Sequence, residues 1–225
     1  MSYRAVLFDL DGTLIDTATD MLLTLRQLAE EHQQPHDINI DDYRGFITHG
    51  SAALIESIFG RPPQSERDRL QKRYLDLYRQ NLNRNTQFFS GIADLLNHLN
   101  QTEIPWGIVT NKPAWLARPI VSHLPELNES RVLICADEVG RSKPHPEPIE
   151  QALKNMQIKA TETLYLGDAE SDVVAARAAG TESAVALWGY LDKRDQPEQW
   201  QAHHNFNSPF ELLSFFKAKN SVNNK

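Results

Sequence analysis

The chain is nearly without cysteine: Cys135 is the only one in 225 residues. No disulfide can form within it. Cys135 ends the apolar run Arg131-Val132-Leu133-Ile134-Cys135, which predicts a small core residue. Long hydrophobic runs are also missing. No stretch approaches the roughly 18 uninterrupted apolar residues of a membrane span. Met1 to Asp11 lacks the charged-then-apolar order of a secretory signal. These absences predict a soluble, cytoplasmic protein with no membrane partner. Base is not in excess either. The 23 Lys and Arg face 30 Asp and Glu, for a formal charge of −7. That balance argues against a nucleic-acid partner, which favours clustered positive charge, and against attraction to an anionic membrane surface. The eight histidines include no HExxH pattern. His203-His204 has no third ligand spaced to join it.

What is present is an ordinary globular composition, 40% hydrophobic and 24% charged, long enough to bury a substantial core. Short apolar runs recur at Ala5–Phe8, Trp106–Thr110, Val132–Cys135, Thr163–Leu166 and Ala184–Trp188. They are near-continuous rather than alternating, as strands buried on both faces should be. Amphipathic segments lie between them, including Ile92, Leu95, Leu96 and Leu99, then Ile149, Leu153 and Met156. Strands alternating with helices predict an α/β fold with a Rossmann-like parallel sheet and helices on both faces.

One interval breaks the alternation. From Asp16 to about Phe88 no strand pattern appears. Thr17 is a plausible N-cap, and Met21, Leu22, Leu25, Leu28 and Ala29 form one apolar stripe. Ser51 to Phe59 and Ser65 to Leu82 are further helical patterns. Pro35 and Arg61-Pro62-Pro63 separate them. The Ser221–Lys225 tail reads as frayed. The expected organisation is an α/β core from 1–15 and 89–225, with a small α-helical cap of 16–88 inserted after the first strand.

In open parallel sheets, ligands bind outside the carboxyl ends of the strands. The residues just after each apolar run therefore matter most. Asp9 and Asp11 follow the first. Thr110-Asn111-Lys112 follows the second. Lys143 lies in the loop after the third, and Gly167-Asp168 with Asp172 follows the fourth. Carboxylates of this kind suit Mg²⁺, and a carboxylate can also attack phosphorus. Metal and lysine would offset its repulsion from phosphate. A second acid is then needed to protonate the leaving alkoxide.

These residues resemble the four motifs of the haloacid dehalogenase superfamily, in its phosphatase branch. The motifs are Asp9-Leu10-Asp11-Gly12-Thr13, Gly107-Ile108-Val109-Thr110-Asn111, Lys143-Pro144, and Gly167-Asp168 to Asp172. They occur in order, and the resemblance spans nearly the whole chain. The resemblance implies Asp9 as nucleophile and metal ligand. It implies Asp11 as general acid/base, with its backbone carbonyl on the metal. Thr110 would bond the transferring phosphoryl group, and Lys143 would neutralise charge beside it. Asp168 would complete a Mg²⁺ site. Asp172 would bind metal-coordinated water or orient Lys143, with Asn111 in a supporting place. The helical insert resembles the family's cap. Its Arg44, His49 and Ser51, with Lys112 of the core, are candidates to contact substrate. The competing reading of Tyr43 to Ser51 is a simple helix–helix turn ended by Gly50.

Within the family the chain most resembles phosphoglycolate phosphatases. Val109–Pro113, Arg141–Pro144 with Glu147-Pro148, and Gly189-Tyr190 to Trp200 also resemble N-acetylmuramate 6-phosphate phosphatases of cell-wall recycling. The implied partner is a small phosphorylated metabolite. A sugar phosphomutase of the same superfamily is the alternative.

Overall fold

The computed structural model describes residues 3–34 and 37–223. Pro35 and the last two residues of the tail lie outside them. The chain forms two compact units. One comprises residues 1–15, 88–189 and 196–225; the other comprises 16–87 and 190–195.

The larger unit is built on a six-stranded parallel sheet. Its strands are β1 (Ala5–Phe8), β4 (Trp106–Val109), β5 (Leu133–Ile134), β6 (Thr163–Gly167), β7 (Glu182–Ala186) and β8 (His204–Phe206), in the order β5-β4-β1-β6-β7-β8. β8 has no apolar run and was not foreseen: it is a short edge strand, His204-Asn205-Phe206, with only Phe206 buried. The short pieces β2 (Ile15–Asp16) and β3 (Gln87–Phe88) pair in a separate two-stranded sheet where the chain leaves and re-enters this unit.

The central strands are apolar throughout because both faces are covered. β1 and β4 are buried at every position. Leu7, Val109, Ile134 and Tyr165 pack with Ile149, Ala152 and Leu153 of α7 (Glu147–Met156) and with Ala175 and Ala176 of α8 (Glu170–Ala178). Phe8 meets Trp106 edge-on, ring centroids 6.3 Å apart. Helix α5 (Ile92–Gln101) buries the predicted stripe Ile92, Leu95, Leu96 and Leu99. Each such side chain contributes about 1.5–3 kcal/mol by leaving water. The remaining helices of this unit are α6 (Ala114–His123) and α9 (Pro209–Asn223), so the expected frayed tail is helical as far as residue 223. Strand order fixes where chemistry can occur. The chain runs outward from β1 to β4 and β5, then returns to β6 on β1's other side. The order reverses between β1 and β6, and the crevice at such a switch point opens at the carboxyl ends of both.

The smaller unit is helical: α1 (Ala18–Glu31), α2 (Ile40–Ile47), α3 (Gly50–Phe59) and α4 (Gln64–Asn81). α1 buries Met21, Leu22, Leu25, Leu28 and Ala29, and α4 buries Leu70, Tyr74, Leu77 and Tyr78. Buried Asp20 clips this unit together, accepting hydrogen bonds from the backbone N–H groups of Asn85 and Thr86 and from both side chains.

Two local expectations are corrected here. Thr17 occupies the N-cap of α1 but its hydroxyl caps nothing. The Tyr190 hydroxyl does so instead, accepting the N–H groups of Thr17 at 2.6 Å and Ala18 at 3.1 Å while donating to Asp16 at 2.9 Å. The helix–helix turn read over Tyr43 to Ser51 is shorter than that, for α2 runs through Gly45 to Ile47 and α3 begins at Gly50. A Cβ at Gly45 would lie 2.7 Å from that of Asp192, so close packing explains the glycine.

Candidate active site

The stretch after β1 forms the first wall. Asp9 donates its backbone N–H to Leu166 of β6 at 2.8 Å, which carries it to the switch point. The chain then turns, with the N–H groups of Leu14 and Ile15 both bonded to Leu10 O. Gly12 makes the turn possible at φ +84°, a conformation open to glycine. A Cβ at Gly12 would also lie 2.2 Å from Asp168 Oδ2. The same glycine thus bends the chain and lets β1's loop reach β6's carboxylate.

The two acids of this stretch have different surroundings. Asp9 is buried, 8% exposed. Its Oδ1 accepts from Lys143 Nζ at 2.6 Å. Asp11 lies nearer the surface and pairs with Lys112 Nζ at 2.7 Å.

Lys143 is the node of the site. Its buried Nζ reaches Asp9 Oδ1 and Asp172 Oδ1 at 2.6 Å each, and Val109 O and the Tyr165 hydroxyl at 2.9 Å each. Asn111 fixes the lysine's backbone from β4's loop, donating from Nδ2 to Lys143 O and accepting Lys143 N–H at Oδ1. Thr110 ends β4, donating its backbone N–H to Ile134 O. Its hydroxyl accepts the Lys112 N–H at 3.1 Å.

Asp168 and Asp172 come from β6 and α8. Asp168 is buried and accepts from the Thr13 hydroxyl at 3.3 Å. Asp172 is held on both oxygens. Lys143 and Tyr165 donate to Oδ1, and the Ala169 N–H at the start of α8 donates to Oδ2.

The electrostatics follow from crowding buried acids around one ammonium. Burial pushes the Asp9 carboxyl up to about 7; Lys143 opposes this, and Asp172 and Asp11 add to it. Burial works against the Lys143 charge, but Asp172 and Asp9 outweigh it and raise the lysine above its ordinary value. Ligand oxygens of Asp9, Asp168 and Asp172 all lie within 4.8 Å of one another. Three buried carboxylates against one lysine leave the cluster negative, and oxygen donors of this kind fit a hard divalent cation such as Mg²⁺.

The structure therefore brings Asp9, Asn111, Lys143, Asp168 and Asp172 into one connected cluster, with Thr110 and the Lys112–Asp11 pair alongside. Arg44, His49 and Ser51 lie in the helical unit. There Arg44 pairs with Asp16 at 3.0 Å and stacks on the Tyr190 ring. His49 is exposed at the N-cap of α3, and Ser51 accepts from Gln71. Sequence reasoning missed Tyr165, a phenol inside the apolar run of β6. Its signal was available: a buried tyrosine hydroxyl needs a partner.

The chain is also similar to known proteins. The family model for haloacid dehalogenase-like hydrolases matches residues 6–186. A phosphoglycolate phosphatase of Xanthomonas campestris pv. campestris is 41% identical over 199 residues, covering 88% of this chain and 90% of its own. An N-acetylmuramic acid 6-phosphate phosphatase of Pseudomonas putida is 36% identical over 215 residues, covering 94% and 95%. A haloacid dehalogenase-like family protein of Streptococcus pneumoniae, 23% identical, superposes with a TM-score of 0.81 over 94% of this chain and 97% of its own, which shows a shared fold. No helix among the described residues is long and apolar enough to cross a membrane. The chain belongs to the haloacid dehalogenase-like hydrolase family.

Proposed function

We propose that the protein is a Mg²⁺-dependent phosphatase that hydrolyses a small phosphomonoester through an aspartyl-phosphate on Asp9. One observation carries the reading: buried Lys143 bridges Asp9 and Asp172 beside Asp168. Such an array has little structural purpose, because buried ion pairs contribute little net stability. It suits a reaction that brings a phosphate dianion against a carboxylate.

Asp9 and Asp168, with the Asp11 carbonyl, would hold the cation. When bound, it supplies positive charge to the phosphoryl oxygens and lowers their repulsion from Asp9. Asp9 forms a bond to phosphorus as the ester P–O bond breaks, and Asp11 gives its proton to the departing alkoxide. Water then attacks the acyl phosphate and returns a proton to Asp11. Inorganic phosphate leaves, and the Asp9 carboxylate is restored. Thr110 and Lys143 bind the phosphoryl oxygens during both steps. Asp172, committed on both oxygens, acts by orienting Lys143 rather than as a metal ligand. Lys112 holds Asp11 in place before substrate arrives.

The two kinds of phosphatase among the relatives give the candidate substrates, 2-phosphoglycolate and N-acetylmuramic acid 6-phosphate. Both join a carboxylate and a phosphomonoester in one small molecule. A panel of these two esters and hexose phosphates, with and without Mg²⁺, tests the reading. Metal-dependent release of inorganic phosphate without a bisphosphate activator is expected. No turnover of any ester would refute it, and phosphoryl return to a sugar would favour a mutase.

A further inference from the structure

The ammonium of Lys143 is over-subscribed. It has three N–H groups and four acceptors within 2.9 Å: Asp9 Oδ1, Asp172 Oδ1, Val109 O and the Tyr165 hydroxyl. Three of those acceptors can only accept. The fourth can also donate. The Tyr165 hydroxyl lies 3.0 Å from Asp172 Oδ1 and 3.2 Å from Val109 O. Tyr165 is fully buried on β6, and Lys143 Nζ stands 5.6 Å from its ring centroid. Burial and the charge of Asp172 hold the phenol well above its ordinary pKa, so its proton is always available to donate.

This matters when phosphate arrives. A Lys143 N–H must then turn toward a phosphoryl oxygen, and the acceptor it leaves is buried. An abandoned buried acceptor is costly. We propose that Tyr165 is a positioning residue for Lys143, its hydroxyl becoming the donor to Val109 O when a Lys143 N–H turns to the transferring phosphoryl group. Only one proton changes direction: the phenol O–H swings to the carbonyl, and no bond to hydrogen is broken. In the resting site the phenol instead shares Lys143 and Asp172, so the ammonium stays fixed until it is needed. The proposal deepens the phosphatase reading and rests on it.

Tyr165→Phe tests this, because it removes one oxygen and keeps the ring that fills the core. With Mg²⁺ and an ester that the wild type hydrolyses, kcat should fall roughly tenfold, or about 1.4 kcal/mol in the barrier. KM should rise as well, because the same N–H meets the phosphoryl group of the bound ester. Affinity for inorganic phosphate in the presence of Mg²⁺, measured by calorimetry, should weaken by a similar factor. The activation constant for Mg²⁺ should not move, since the Tyr165 hydroxyl works on Lys143, Asp172 Oδ1 and Val109 O. Wild-type kcat, or a loss confined to KM, would overturn the proposal. So would a lowered melting temperature with unchanged phosphate affinity, which marks a purely structural hydroxyl. If the wild type hydrolyses no ester, the phosphatase reading fails, and the phosphate affinities of the two proteins still decide the role of Tyr165.

Discussion

Replacing Asp9 by asparagine should make the metal-free protein more stable while removing its activity. Asp9 and Asp172 share one lysine in a buried space. The Asp9 pKa rises from 3.8 to about 7, chiefly through burial. A carboxyl raised on folding binds its proton more tightly in the folded state. Stability from this group is therefore full below about pH 4 and is lost as pH rises through about 7. The shift spans roughly three pKa units, an upper bound of about 4 kcal/mol. Asparagine is itself polar and buried, so about 1–3 kcal/mol of relief is expected at pH 8. Asp172 still pairs with Lys143 in the variant. For a chain this long that is roughly 2–4 °C in melting temperature per kcal/mol. The assay is thermal or urea unfolding of both proteins in chelator at pH 4 and pH 8. The gain should appear at pH 8 and vanish near pH 4. A variant less stable than wild type at pH 8 would refute the argument, because Asp9 would then be a net stabiliser of Lys143.

Removing the cation has the opposite effect. Lys143→Met should destabilise the protein by about 3–5 kcal/mol at pH 8, because Asp9 and Asp172 are left buried without a counter-charge; urea unfolding measures it, and a loss under about 1 kcal/mol would contradict the geometry. Gly12→Ala should weaken Mg²⁺ activation roughly 10–100-fold, since the new Cβ meets Asp168 at 2.2 Å and φ is +84°; a metal titration of activity shows it. Cys135 is buried, and its thiol is pushed up to about 12, mainly by burial. A thiol reagent at pH 8 should leave native protein untouched and label one thiol after denaturation.

Much of the fold was legible because β1, β4 and β6 are buried on both faces, and such strands announce themselves as unbroken apolar runs. β8 escaped because an edge strand of three residues carries no such run. The site residues nearest strand ends, Asp9, Thr110 and Asp168, could be named for the same reason: the sheet dictates where a strand must stop. What could not be read was how side chains share partners. Nothing in the spacing says that Lys143 takes Asp172, Val109 O and Tyr165 together with Asp9, because these contacts join residues up to 134 positions apart. Thr17 shows the same limit locally. Its position predicts a cap, yet Tyr190, distant in sequence, supplies the oxygen.

Asp9 should become phosphorylated in turnover. Protein mixed with Mg²⁺ and a hydrolysed ester, quenched in acid within milliseconds and reduced with borohydride, should carry homoserine at position 9 by peptide mass spectrometry. Asp9→Asn should give neither the reduced residue nor turnover. Full turnover with Asp9 unmodified, or with Asp9→Asn still active, would contradict the account.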